Sequence, residues 1–132
     1  GIQVRAGSDR ARVVDNVAFD NQRRGIEVRE AGEVAIDNNL AYRNGTGGIR
    51  VSASSGSTVR NNSVYANGED GILVDDFSND TSVTRNVTQA NARGIVVKPD
   101  SESGHVSGFN VAGEGFAGTT PRADSDVAAD PL

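Results

Sequence analysis

The chain has 132 residues and a formal net charge of −5, from 13 Lys and Arg against 18 Asp and Glu. This acidic balance lacks the basic footprint of a nucleic-acid-binding protein, and no apolar run approaches the roughly 20 residues of a membrane-spanning helix. Cysteine is absent, which excludes disulfides, a thiol nucleophile and cysteine-based metal sites.

A short phrase recurs along the chain five times. The last four copies keep a strict period of 23 residues, and the first copy begins 24 residues before the second. Each copy begins with glycine and isoleucine and has a valine two residues after the isoleucine. The glycines are Gly1, Gly25, Gly48, Gly71 and Gly94. A period between about 20 and 50 residues is typical of stacked repeats. The sequence therefore predicts a repeat array and not an ordinary globular domain.

One repeat, residues 25–47, predicts three short strands in succession. Apolar and polar residues alternate at 26–29 and again at 34–37, which is typical of half-buried strands. A third short stretch covers 40–43. Turns separate the strands at Ala31-Gly32, Asn38-Asn39 and Asn44-Gly45.

The same positions of successive repeats are predicted to form apolar columns that point inward. These columns are Ile2, Ile26, Ile49, Ile72 and Ile95; Val4, Val28, Val51, Val74 and Val97; Val13, Ile36, Val59, Val83 and Val106; and Ala18, Ala41, Val64, Thr88 and Ala112. One repeat cannot bury such side chains alone, but neighbouring repeats can cover them.

Two columns of asparagine mark the predicted bends, always five residues apart. They are Asn16, Asn39, Asn62 and Asn86, and Asn21, Asn44, Asn67 and Asn91. Asparagine tolerates the left-handed backbone of turns and bonds to nearby backbone groups. Stacked asparagines also bond to one another, so we expect an amide ladder along each bend.

The Gly-Ile-x-Val phrase, with NNLAYRNG (38–45) and NNSVYANG (61–68), resembles the right-handed parallel β-helix repeat of the pectin-lyase-like superfamily. It is also similar to the β-helix repeats of NosD-like periplasmic proteins. We therefore expect an all-β, right-handed parallel β-helix of about five coils over residues 1–112, with three short strands per coil. Residues 113–132 are expected to be an irregular loop or incomplete cap, and the chain to be a piece of a longer parent.

A leucine-rich repeat is the competing fold. The phrase Val34-x-Ile36-x-x-Asn39 is similar to its strand-and-asparagine motif. Against it, leucine occurs at only three positions and no helical segment is evident.

The resemblance implies three kinds of role. The first is an exported scaffold or binding module that faces carbohydrate, located outside the cell, in the periplasm or on the cell surface. The second is part of a polysaccharide lyase or epimerase that acts on acidic polysaccharide. The third is a structural spacer. No catalytic constellation is evident, so whether the chain is an enzyme stays open, and a polysaccharide is the expected partner.

The acidic stretch 69–80 holds the candidate catalytic residues. Asp75 is expected to point outward in a column with Arg29 and Lys98, with Asp76 in the next turn. In lyases that share the resemblance, Ca²⁺ bridges enzyme and uronate while an Arg or Lys abstracts a proton, which implies such roles for these four residues. Asp75 and Asp76 would hold the Ca²⁺. The other interpretation is a solvated acidic turn with a surface ion pair, without metal or cofactor.

The aromatic column Phe19, Tyr42 and Tyr65 is the candidate carbohydrate-binding surface. Aromatic rings one coil apart form a platform for sugar rings, or they stack on one another and stiffen the coil edge. Strand edges at the ends of the array are expected to pair with flanking coils of a parent chain or with a second copy, end to end.

Overall fold

The computed structural model describes residues 1–113, 116–118 and 127–128, and it is a parallel β-solenoid. Each coil contributes one strand to each of three sheets, which we name A, B and C.

Strands are numbered in chain order. Sheet A contains β1 (Ile2–Val4), β4 (Ile26–Arg29), β7 (Ile49–Ser52), β10 (Asp70–Asp75), β13 (Arg93–Val97) and β16 (Phe116–Gly118). Sheet B contains β2 (Arg12–Val14), β5 (Ala35–Asp37), β8 (Thr58–Arg60), β11 (Ser82–Thr84) and β14 (Val106–Gly108). Sheet C contains β3 (Val17–Phe19), β6 (Leu40–Tyr42), β9 (Ser63–Tyr65), β12 (Val87–Gln89), β15 (Val111–Ala112) and β17 (Val127–Ala128).

This architecture confirms the expected β-helix of about five coils with three strands per coil. The leucine-rich alternative is wrong, because successive coils pair through three parallel sheets. A short 3-10 turn, Pro99–Ser101, is the one helical element of the described residues. Strands β16 and β17 extend sheets A and C past residue 112, and residues 114–115, 119–126 and 129–132 lie outside the described part of the chain.

The register of the sheets aligns the repeated phrase. Ile26 pairs with both Ile2 and Ile49, and Ile72 pairs with Ile49 and Ile95. Stacked this way, the isoleucine and valine columns of sheet A fill the interior together with the apolar columns of sheets B and C. The predicted inward columns are therefore confirmed, with one exception.

Val106 was expected in the inward column of sheet B, and that prediction is wrong. Val83 pairs with Ser107, while Val106 pairs with Ser82 and its side chain is 57% exposed. The physical reason is the length of this coil. The predicted column assumed a spacing of 23 residues, which leads from Val83 to Val106, but the strands pair at a spacing of 24 residues, which leads from Val83 to Ser107. One extra residue moves each side chain to the opposite face of a strand.

Asparagine ladders run along two corners of the solenoid. Between sheets B and C, the Nδ2 of Asn39 donates to the Oδ1 of Asn62 at 3.0 Å and to the backbone carbonyl of Val13 at 2.8 Å. The backbone amide of Asn39 donates to the same Oδ1 at 2.9 Å. The pattern repeats in both expected columns, and Asn110 extends the first of them. The left-handed backbone lies one residue earlier, as at Asn38 with φ 57°.

The third corner, between sheets A and B, carries buried serines instead. The backbone amides of Ala31, Ser54 and Ser78 each donate to the serine Oγ of the next coil, at 3.0–3.2 Å. The last acceptor is Ser101. A hydroxyl here satisfies the backbone amide that a bend would leave without a partner.

Candidate functional site

The outer face of sheet A carries the charged residues that the strand alternation directs away from the core. Glu27 and Arg50 occupy the variable position of the Gly-Ile-x-Val phrase in adjacent coils and pair in register. Arg29, Ser52 and Asp75 form the next outward column. Period-two alternation thus collects polar groups from three coils on one flat surface.

Arg50 is the centre of this surface. Its guanidinium forms a bidentate contact with Asp75, with Nε to Oδ1 at 2.9 Å and one terminal nitrogen to Oδ2 at 2.7 Å. That nitrogen also donates to Asp76 Oδ2 at 3.1 Å. The other terminal nitrogen lies 3.4 Å from Oε1 of Glu27. Only 19% of the Arg50 side chain is exposed, so these contacts hold it in one position.

Neighbouring groups extend the contacts in both directions. Arg24 lies 3.2 Å from Glu27, and the hydroxyl of Ser52 donates to Asp76 Oδ2 at 2.7 Å. The hydrogen bonds to Asp75 raise the pKa of Arg50 above its ordinary value, so the guanidinium stays charged. We call this set the Arg50 cluster, and its members are Arg24, Glu27, Arg50, Ser52, Asp75 and Asp76.

A groove of about 280 Å³ adjoins the cluster in the first two coils. It shares Arg24 and Glu27 with the cluster, and its other side chains are polar: Gln3, Asn21, Gln22 and Arg23. This volume lies just below the usual range for ligand pockets, of about 300–1,000 Å³. Further along the outer face, Leu73 and Val96 are buried, so the exposed polar surface ends at the cluster.

The structure partly assembles the candidate catalytic residues. Arg29 and Asp75 flank Ser52 in one column, and the backbone amide of Lys98 donates to Val74 in the adjacent strand. The Asp75 carboxylate, however, is held by Arg50, and Arg29 lies 3.3 Å from Glu30. Arg50 was not among the predicted site residues. The sequence pattern compares equivalent positions of successive coils, whereas the Arg50 side chain reaches diagonally to the end of the strand in the next coil.

The groups available to a metal ion are few. Asp75 and Asp76 both accept hydrogen bonds from Arg50, so a cation there would compete with a guanidinium. Across the residues that the structure describes, no group of three or more His, Cys, Asp or Glu side chains is placed to hold a metal. The calcium interpretation of these two carboxylates stays a prediction.

The aromatic column lies on the outer face of sheet C, away from the Arg50 cluster. The ring of Tyr42 stacks on Phe19 with centroids 5.2 Å apart and on Tyr65 with centroids 5.0 Å apart, both nearly parallel. Gln89 follows Tyr65 in register. Because both faces of Tyr42 are covered, a sugar ring can reach only the ring edges and the outer faces of Phe19 and Tyr65. Carbohydrate binding by this column stays a prediction.

None of the described helices is long and apolar enough to cross a membrane.

Comparison with known proteins assigns the chain to a family. The family described as a right handed beta helix region matches residues 1–126. The crystal structure of the periplasmic alginate epimerase AlgG is similar, with a TM-score of 0.76 and 24% sequence identity over 94% of this chain and 30% of that chain. None of the curated proteins matches the chain. At this identity the likeness to AlgG shows the fold alone, and the chain spans 30% of that protein's length. Its coils are therefore right-handed, and the chain belongs to the family of right-handed β-helix proteins.

Proposed function

We propose that this chain is an exported β-helix segment that binds polysaccharide along the outer face of sheet A, as part of a larger protein. The observation that carries the proposal is the polar groove of the first two coils, continuous through Glu27 with the Arg50 cluster. Extended sugar chains are recognised by arrays of hydrogen-bonding groups held in fixed positions, and here the ion pairs fix the side chains.

The spacing of the coils supports an extended ligand. Adjacent strands lie about 4.8 Å apart, so Glu27, Arg50 and Asp75 present charged groups over about 10 Å along the solenoid axis. A polymer with repeating hydroxyl groups matches such a periodic surface better than a compact metabolite does. AlgG is a periplasmic protein whose name connects this fold with alginate, which supports both export and a polysaccharide partner.

Affinity electrophoresis in gels that contain soluble polysaccharides tests the proposal. Arg23 lines the groove, is exposed and forms none of the ion pairs of the described residues, so Arg23→Ala leaves the fold intact. We expect Arg23→Ala combined with Gln3→Ala to reduce retention. The matched control is Arg12→Ala, an exposed arginine on sheet B, which we expect to retain full binding.

A Tyr42→Ala and Tyr65→Ala double variant separates the two surfaces. Binding on sheet A leaves its retention unchanged, whereas loss of retention in this variant alone moves the site to sheet C. If the wild-type chain binds none of the polysaccharides, the proposal is wrong and the spacer role remains.

A polysaccharide lyase or epimerase is the second candidate, supported by the fold of AlgG and by Lys98, which directly follows β13 and donates its backbone amide to Val74, the residue before Asp75. It requires a carboxylate free to hold Ca²⁺, and Arg50 occupies Asp75. Lyase activity is tested by incubating the chain with alginate or polygalacturonate and measuring the ultraviolet absorbance of unsaturated products. Formation of such products, lost in Asp75→Ala or Lys98→Ala, would replace the binding role with an enzymatic one.

A further inference from the structure

The corner between sheets A and B changes length midway along the solenoid. One residue, Ala53, links Ser52 to the buried Ser54 in the third coil. Two residues link the equivalent positions of the fourth coil, Asp75 and Ser78. The fourth coil thus has one extra residue here. Its two linking residues are Asp76 and Phe77, which lie directly beside the Arg50 cluster, to which Asp76 belongs.

Both linking residues have left-handed backbone, with φ 53° at Asp76 and 60° at Phe77. This conformation is uncommon for residues other than glycine, asparagine and aspartate, and it is unfavourable for a bulky aromatic such as Phe77. Two hydrogen bonds hold the turn in place, because the carbonyl of Phe77 accepts from the Ser55 hydroxyl at 3.1 Å and from the Asn79 amide at 2.9 Å. Glycine would relieve the strain, so the phenylalanine is not explained by the turn.

Packing does not explain Phe77 either. Its side chain is 70% exposed, the largest value among the exposed large hydrophobic residues of the described chain. Phe19, Tyr42 and Tyr65 cover one another by stacking, whereas no ring contact joins Phe77 to another described aromatic. A ring held out in solvent by a strained, anchored turn costs free energy of folding and offers an open face to a ligand.

The polar groups beside Phe77 suit hydroxyl donors. Oδ2 of Asp76 accepts from Arg50 and Ser52, but Oδ1 has no hydrogen-bond partner in the described residues, and the side chain is 57% exposed. The cluster holds two arginines and three carboxylates, a sum of −1. Counting Lys98, which directly follows the adjacent strand β13, brings it to 0. The cluster itself therefore offers no net attraction to a polyanion.

We propose that Phe77 and Asp76 form a subsite for an uncharged sugar ring, which stacks on the phenylalanine while a hydroxyl donates to Asp76 Oδ1. This inference rests on the proposed polysaccharide binding and identifies its ligand as a neutral polysaccharide. The sugar chain would run diagonally across sheet A, from the groove in the first coils, over Arg50, to the Phe77 corner. The stacking follows from the negative face of an aromatic ring and the C–H-rich face of a sugar.

The test measures binding of the 132-residue chain to β-glucan, galactomannan and xyloglucan as neutral polymers, and to alginate and polygalacturonate as acidic ones. We expect binding to a neutral polymer, weakened about tenfold by Phe77→Ala and equally by Phe77→Leu, which keeps apolar volume without a ring. Phe77→Tyr should bind as the wild type does. The matched control is Phe109→Ala, because Phe109 is also exposed and left-handed but lies at the corner between sheets B and C.

The outcomes separate the two proposals. Unchanged binding to a neutral polymer in Phe77→Ala and Phe77→Leu, with intact circular dichroism spectra, overturns the subsite and leaves the polysaccharide role in place. Binding to the acidic polymers alone overturns the choice of a neutral ligand. If the wild-type chain binds none of these polymers, both proposals are wrong.

Discussion

At the scale of single residues, the asparagine ladder depends on amides that are buried and fully bonded. Asn39 is 2% exposed, and its Oδ1 accepts from the backbone amide and the Nδ2 of Asn16 while its own Nδ2 donates to Asn62 and Val13. Alanine at this position leaves the backbone amide of Asn16 in the preceding coil without its acceptor and removes the hydrogen bonds to Val13 and Asn62. A side chain that looks like a surface turn residue in the sequence is therefore part of the core.

We predict that Asn39→Ala lowers the free energy of unfolding by about 2–4 kcal/mol, because each buried polar group left without a partner costs about 1–3 kcal/mol. Chemical denaturation followed by circular dichroism measures the change. The preceding residue supplies the control: Asn38 is exposed and has φ 57°, so Asn38→Gly should change stability by less than about 0.5 kcal/mol. Equal effects of the two substitutions would contradict the ladder's role.

The repeated glycine has a packing reason that the sequence does not display. A Cβ added to Gly48 would lie 2.2 Å from Cγ1 of Val64, 2.8 Å from the carbonyl oxygen of Gly71 and 2.9 Å from Nδ2 of Asn67. The glycine thus leaves space for the ladder amide and the adjacent coil.

Gly48→Ala is predicted to destabilise the protein by about 3 kcal/mol through overpacking. Thermal unfolding gives the comparison with Gly32→Ala, for which the nearest atom to the added Cβ is the Ser55 carbonyl oxygen at 3.3 Å. The control should unfold close to the wild-type temperature. A Gly48→Ala variant as stable as Gly32→Ala would show that the corner can relax.

At the scale of elements, adjacent strands of sheet B are linked by an ion pair on their outer face. Arg60 donates to Oδ2 of Asp37 at 2.6 Å and Asn61 donates to Oδ1 at 3.1 Å. The hydrogen bond from Arg60 lowers the pKa of Asp37 below its ordinary value. The ionised carboxylate is therefore favoured in the folded state, and the pair stabilises the protein at neutral pH.

The pH dependence follows from the direction of that shift. Because the folded-state pKa of Asp37 is depressed, its stabilisation is fully present above the unfolded pKa of about 3.9 and is lost as pH falls through the folded value. Melting curves should show a higher melting temperature for wild type than for Asp37→Asn at pH 7. This gap in melting temperature should close below about pH 4. Asp15→Asn, a carboxylate without an ion pair among the described residues, should show no such closing gap. A gap that stays constant into acid would refute the contribution of Asp37.

The elements also show which features a sequence can reveal. Period-two alternation and a fixed 23-residue spacing predict the Ile, Val and Asn columns, because these side chains bond or pack only with their equivalents in the next coil. Insertions break that correspondence. The spacing from Asn62 to Asn86 is 24 residues while the glycines keep 23, and this mismatch marks the Asp76-Phe77 turn.

The contacts of Arg50 could not be predicted from alternation and repeat spacing. Two of its carboxylate partners, Asp75 and Asp76, come from different columns, since a long side chain crosses from the middle of one strand to the end of the next. The stacking of Phe19, Tyr42 and Tyr65 follows from their shared column, whereas the exposure of Phe77 follows only from the three-dimensional structure. Side chains that act within a column are predictable, and those that cross columns are not.

At the scale of the whole molecule, each sheet ends, among the strands that the structure describes, in a strand with one neighbour. Strand β1 pairs with β4 on one side, and the amide of Ile2 donates to the carbonyl of Gly25. In a parallel pair the backbone groups of successive residues point to opposite sides. The N–H and C=O of Gln3 therefore point to the open edge, where another strand can add.

We predict that the 132-residue chain associates end to end, and that Gln3→Pro weakens this association without unfolding the coil. Proline removes the outward N–H and is tolerated on an edge strand, since the bonds from Ile2 and Val4 to β4 remain. Multi-angle light scattering over a concentration series should show a rising mass for wild type and for Gln3→Val, which keeps the backbone donor. The rise should be smaller for Gln3→Pro. A constant monomer mass for the wild-type chain at the highest concentration would mean that side chains at the edge already prevent strand addition.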